Sequence, residues 1–91
     1  MKLSPEEIEK QLERLAHWKF EENKIVRHLQ FDTFMLAIAF INRIAPLAEV
    51  ADHHPEIFNV YNRVELVLTT HDCSGLSLKD FALAEEINRI V

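Results

Sequence analysis

Two short stretches, Asp52-His53-His54-Pro55-Glu56 and Thr70-His71-Asp72-Cys73-Ser74-Gly75-Leu76-Ser77 with Asp80 just beyond, hold three of the chain's five histidines beside carboxylates and turn-forming residues. Imidazole, with an ordinary pKa of about 6.5, both gives and takes protons near neutrality. Three such groups at element ends point to proton-transfer chemistry, to a metal site, or to both. Pro55 biases His54 away from helical dihedrals, so the histidine pair occupies a turn. Adjacent side chains diverge, so one ring meets a ligand while a neighbour holds the other; the plainer reading is a pair of solvated turn residues. His71 closes a strand immediately before Asp72. Strand ends carry working groups on rigid scaffolds, although a histidine there is often only solvated.

Neutral imidazole nitrogens also bind zinc, but no H-x-x-x-H falls on a helix, and the single cysteine excludes a Cys-rich structural site. Cys73 as a nucleophile needs a lowered pKa and a histidine partner, and strand alternation separates it from His71. Glu49, Asp52 and Asp80 are the carboxylates nearest the histidines in sequence. Glu49 and Asp52 are three apart and share a face if their helix persists. Asp80 forms Ser-x-x-Asp with Ser77, a capping box that opens a helix, and this is compatible with orienting a histidine. Trp18, Phe20 and Phe58 read as core or interface, and His17 and His28 as structural or surface residues.

The elements that must position these groups follow from periodicity and caps. Ser4-Pro5-Glu6-Glu7 starts a first helix, with Ser4 capping, Pro5 at the first helical position and Glu7 completing a capping box. Ile8, Leu12 and Leu15 fall on one face of it. From Trp18 to Phe31 the pattern changes: Trp18 and Phe20 alternate with polar residues, Glu21-Glu22-Asn23-Lys24 reads as a turn, and Ile25 to Gln30 mixes β-branched and polar residues, which predicts a hairpin. Asp32 is placed to cap a second helix running through Phe34, Phe40 and Ile44; apolar residues cover most of its circumference, which predicts a central position. Pro46 kinks this helix or ends it, with a restart at Leu47 to Val50. Asn59 to Thr70 carries the third and fourth strands, with Val64, Leu66, Leu68 and Thr70 under the helices and Arg63, Glu65, Val67, Thr69 and His71 facing away. Ser77 opens a last helix to Val91 that buries Phe81, Ala84, Ile87 and Val91. The order is helix, two strands, helix, two strands, helix. It predicts one α+β domain over residues 1–91, a four-stranded antiparallel sheet with three helices on one face.

Composition excludes several functions. With one glycine, Gly75, a Gly-rich phosphate loop or dinucleotide fingerprint cannot form. A formal charge of −5 and the lack of any basic run oppose direct nucleic-acid binding. The N-terminus lacks the apolar stretch of a signal peptide, and the apolar run from Phe34 to Ile41 is short of the roughly 20 residues a membrane span needs. A lone Cys73 fits a reducing, cytoplasmic setting. Small size makes self-association plausible.

Asp52-His53-His54-Pro55-Glu56, Phe58-Asn59-Val60-Tyr61-Asn62, Thr70-His71, Gly75-Leu76-Ser77 and Asp80 together resemble the pterin-4a-carbinolamine dehydratase family, over nearly the whole chain. The resemblance implies dehydration of 4a-hydroxytetrahydropterin to the quinonoid dihydropterin, in support of tetrahydropterin recycling. It implies no metal and no redox cofactor, the α+β fold described above, and assembly as homodimers or homotetramers. The family's histidines fall on His53, His54 and His71, and its site carboxylates on Glu49, Asp52 and Asp80. His53 and His71 are then the acid/base pair, His54 binds and orients the ring, and the carboxylates hold the imidazoles. Ile57 stands where the family often has tryptophan, and Pro46 is a second departure. Animal relatives also serve as dimerisation partners of a homeodomain transcription factor, so an interaction adaptor without catalysis is the alternative.

Overall fold

The computed structural model describes residues 1–91. Helix α1 (Pro5–Arg14) leads into β1 (Lys19–Glu21) and β2 (Lys24–Gln30), then α2 (Phe34–Ala51), β3 (Glu56–Val60), β4 (Arg63–Leu68), a 3₁₀ turn (His71–Cys73) and α3 (Leu78–Ile90). The strands form one antiparallel sheet in the order β1-β2-β4-β3. The expected α+β architecture is therefore present.

Local chemistry explains most of the boundaries. Ser4 accepts the Glu7 amide while the Glu7 carboxylate takes the Ser4 amide, so the first capping box forms as read. Two residues, Glu22 and Asn23, turn β1 into β2, both at positive φ, the conformation that matches the twist of a hairpin. Thr33 rather than Asp32 caps α2: its hydroxyl accepts the Leu36 amide at 3.1 Å. The helix runs unbroken through Pro46 to Ala51, so neither the early end nor the restart occurs. β3 begins at Glu56, three residues before the expected start, because Pro55 already sets the preceding chain extended. Val91 lies beyond α3 and is exposed, unlike the expected inward position.

Ile25 and Leu29 of β2, and Val64, Leu66 and Leu68 of β4, form the floor of a single core. Ile8 and Leu15 around α1, Ala37, Phe40 and Ile44 of α2, and Phe81, Leu83, Ala84 and Ile87 of α3 close it from above. The second helix is not central. Only Ala37, Phe40, Ile44 and Ala48 are buried, a single stripe, while Met35 is 71% and Val50 89% exposed. An all-round apolar helix thus covers the sheet with one side and presents an apolar surface outward. It is long and apolar enough by composition to cross a membrane, with mean hydropathy 1.6, yet here it forms part of the layer over the sheet.

A polar cluster ties the ends of the fold together. Asn88 Oδ1 accepts from Trp18 Nε1 at 2.9 Å and from Arg27 Nη1, and Asn88 Nδ2 donates to the Ala16 carbonyl at 3.0 Å. Arg27 is buried, its Nε has no partner, and burial pushes its guanidinium below the ordinary arginine value.

Candidate functional site

The last turn of α2 decides where the histidines go. Asp52 adopts the left-handed conformation (φ 51°), its amide reaches Ala48 and Glu49 carbonyls, and the His53 amide returns to the Ala48 carbonyl at 3.1 Å. This is a Schellman closure, and aspartate is among the few residues that tolerate it without glycine. Asp52 thus has a backbone task, and its exposed carboxylate makes no hydrogen bond within the chain.

The closure separates the two rings, as adjacent side chains require. His53 Nε2 lies 2.5 Å from Asp80 Oδ1, with His53 11% and Asp80 0% exposed. His54 Nε2 lies 2.6 Å from Glu49 Oε1, with 58% and 75% exposure. One histidine–carboxylate pair is therefore largely buried and the other solvated. His71 is exposed on the 3₁₀ turn and makes no side-chain hydrogen bond. Of the six residues singled out in the sequence, the structure joins His53 with Asp80 and His54 with Glu49. Asp52 and His71 stand without a side-chain partner.

Asp80 carries both roles its spacing offered. It closes the Ser77 capping box, its Oδ2 taking the Ser77 amide at 3.0 Å, and at the same time it faces His53. Its Oδ2 also accepts the Thr70 hydroxyl at 2.7 Å, and Thr70 Oγ1 lies 2.7 Å from Ser77 Oγ. A carboxylate in the first turn of α3 faces the positive end of that helix's dipole, which favours the charge. Thr70 escaped the reading of the sequence as a functional residue. The one available signal was that Thr70 falls on the inward set of its strand.

His53 edges a cavity of about 460 Å³ between the end of α2 and the start of α3, walled by Leu47, Val50, Ala51 and Leu83 with Lys79 and Glu85 at its rim. A second hollow of about 550 Å³ includes Thr70, Asp72, Cys73 and Ser77 and shares Lys79 with the first. Neither lining includes His54 or His71. Lys79 lines both hollows, and lysine in a first helical turn gives no sign of that in the sequence. A third hollow, about 490 Å³, lies on the open face of the sheet beside His28 and Glu65. That pair is exposed and 3.6 Å apart, without the short hydrogen bond that orients His53. No group of three histidine, cysteine, aspartate or glutamate side chains converges to hold a metal ion.

The family model described as pterin 4 alpha carbinolamine dehydratase matches residues 1–90. A Chloroflexus aurantiacus protein, provisionally named pterin-4-alpha-carbinolamine dehydratase, is 51% identical over 90 residues, covering 99% of this chain and 97% of its own length. Among solved structures, the transcriptional coactivator/pterin dehydratase from Brucella melitensis is similar at TM-score 0.95 and 36% identity, covering 99% of this chain and 98% of that one. A pterin dehydratase-like protein described as a RuBisCO assembly factor in the alpha-carboxysome shares the fold at TM-score 0.66 and 18% identity, over 80% of this chain and 84% of that one. The chain belongs to the pterin 4 alpha carbinolamine dehydratase family.

Proposed function

We propose that this protein is a hydro-lyase that dehydrates 4a-hydroxytetrahydropterin to the quinonoid dihydropterin by histidine acid/base catalysis, in support of tetrahydropterin recycling. The observation that carries the reading is a largely buried imidazole, held by a fully buried carboxylate, at the edge of a cavity of ligand size, in a chain of this family. In the reaction the C4a–O bond breaks and its electrons leave with oxygen, which takes a proton to depart as water. The N5 lone pair forms the C4a=N5 bond, and a base removes the N5 proton. Positioned acids and bases each contribute about 10²–10⁴-fold to such steps.

His53 and His71 are the two proton-transfer groups of this reading. Asp80 holds the His53 ring, and His54, tethered by Glu49, binds and orients the pterin from the solvent side. Asp52 supports the site through the turn it closes. The proposed chemistry uses no metal or cofactor and a small pterin as its only ligand. Direct contact with nucleic acid is opposed by the charge of −5. The outward apolar face of α2 supports assembly as a homodimer or homotetramer, and the unpaired Cys73 supports a cytoplasmic setting.

The same outward face favours one alternative, an adaptor that uses the fold for binding alone. The deciding experiment follows decay of synthetic 4a-hydroxytetrahydropterin with wild type, His53→Ala and His71→Ala. Fast decay with wild type, blunted in both variants, is the expected result. No acceleration by folded wild type rejects the enzyme and leaves the adaptor.

A further inference from the structure

The hydrogens around Asp80 can be assigned one by one. Thr70 Oγ1 lies 2.7 Å from Asp80 Oδ2 and 2.7 Å from Ser77 Oγ. Threonine has one hydroxyl hydrogen, and a carboxylate only accepts. The Thr70 hydrogen therefore goes to Asp80, and Thr70 in turn accepts from the Ser77 hydroxyl. Ser77 Oγ remains free to accept the Lys79 amide at 3.3 Å, as the helix cap requires. Oδ2 also receives the Ser77 amide at 3.0 Å, so this oxygen has two donors inside the buried network. Oδ1 is then the oxygen left for His53, 2.5 Å from Nε2, and Nε2 must carry a hydrogen. The other ring nitrogen, Nδ1, has no partner in the protein and is not sealed from solvent.

We infer that Thr70 is a positioning residue that, through Asp80, fixes the tautomer of His53 and leaves Nδ1 as the nitrogen that meets the substrate. The inference rests on the reading of His53 as an acid/base group. Both hydroxyls and the carboxylate are buried, where such chains polarise one another. If Thr70 loses its hydroxyl, Oδ2 keeps a single donor and the carboxylate is less firmly held in its plane. The His53 ring then loses its fixed orientation and its single tautomer.

The test uses full-length protein labelled with ¹⁵N on its histidines. Ring ¹⁵N shifts are recorded at alkaline pH, where imidazole is neutral and its two tautomers are distinguishable, alongside dehydration kinetics. Wild type is expected to show the Nε2–H tautomer at His53. Thr70→Val mixes the tautomers and lowers kcat by about 10-fold, with KM changing far less, since misorientation acts on the chemical step. Thr70→Ser, which keeps the hydroxyl, restores both signals. Ser77→Ala, which releases the Thr70 hydroxyl from its second partner, moves the His53 shifts the same way by less, and it stands in should Thr70→Val not fold.

An Nδ1–H tautomer in wild type overturns the assignment of the nitrogen. Unaltered His53 shifts in Thr70→Val, or in Ser77→Ala in its stead, overturn the role of Thr70. Expected ring shifts without any dehydration uphold the inference and reject the proposed reaction. Dehydration with unaltered ring shifts does the opposite.

Discussion

Replacing Asp80 by asparagine alters one oxygen and one charge at the centre of the site, and its consequence can be worked out atom by atom. The carboxylate accepts three bonds: from the Thr70 hydroxyl at 2.7 Å, the Ser77 amide at 3.0 Å and His53 Nε2 at 2.5 Å. An asparagine carbonyl in the Oδ2 position keeps the first two as neutral bonds. Its NH₂ group then occupies the Oδ1 position and sets a donor against Nε2–H. Two donors cannot share that distance, so His53 must move its hydrogen to Nδ1 or turn away. Hydrogen bonds to charged groups are worth about 1.5–3 kcal/mol each. A first-turn anion on a helix adds about 0.3–1 kcal/mol. Losing the histidine bond and the dipole interaction, with the other two weakened, sums to about 3 kcal/mol. In a domain of this size that lowers Tm by about 12–24 °C.

The larger effect of Asp80→Asn is on turnover. Under the proposed reaction, the His53 nitrogen that should accept a proton then already carries one, and the loss is that of an acid/base group worth about 10²–10⁴-fold. We expect kcat to fall by at least about 10²-fold and KM to change little. Calorimetry and a stopped-flow dehydration assay measure the two arms on the same preparation. A variant that melts with the wild type and retains its kcat refutes the hydrogen-bond assignment on which both numbers depend.

The remaining predictions address other parts of the molecule. Glu49→Gln breaks an exposed pair, so stability changes by less than about 1 kcal/mol, and the effect appears in KM during steady-state kinetics. At φ 51° Asp52→Gly is neutral or stabilising within about 1 kcal/mol by chemical denaturation, while Asp52→Val loses more than that. Full activity in the glycine variant assigns Asp52 to the turn, and lost activity assigns its carboxylate to the substrate. Asn88→Ala strands the Trp18 and Arg27 donors and lowers unfolding free energy by about 3 kcal/mol, whereas Asn88→Asp, which still accepts both, loses less. Glu7 is held below its ordinary 4.5 by the Ser4 backbone amide and then the Ser4 side chain. A depressed acid pKa means its stabilisation is present above 4.5 and fades as pH falls through the folded value, so Glu7→Gln flattens the acid side of a Tm-against-pH curve.

Patterns that depend on neighbours in sequence were readable from the chain. The two capping boxes, the two hairpins and the inward set Val64, Leu66, Leu68 and Thr70 needed only spacing and alternation, and each is present. Most differences arise where a tertiary partner decides, and one, the α2 cap, is a local choice between neighbours. Thr33 outcompeted Asp32 for the α2 cap because its hydroxyl, not the neighbouring carboxylate, meets the Leu36 amide. The apolar circumference of α2 was read as burial, yet the fold offers one sheet face and one neighbouring helix for it to cover. Sequence spacing put Asp80 near Ser77, while its bond to His53 spans 27 positions and follows only from how α3 docks against α2. Thr70 needed that same docking to become visible. His54 and Glu49 lie five residues apart, close enough to be suspected and too far for a helix-face rule to pair them.

The contrast between the two histidine–carboxylate pairs follows from a single backbone event. Asp52 turns the chain left-handed at the end of α2, and Pro55 keeps the next residues extended into β3. Between these two constraints His53 and His54 have little freedom: one ring is driven in toward the start of α3 and the other is left over the last turn of α2. The buried ring meets a carboxylate already committed to capping α3, so the group that orients it is itself held by the helix it starts. A proton-transfer group gains most from that rigidity, because its bond lengths and tautomer must not vary between turnovers. A ligand-orienting group gains more from reach, and the solvated His54–Glu49 pair keeps it. The different settings of the two histidines, one ring largely buried and the other solvated, are thus fixed by where the turn places each of them.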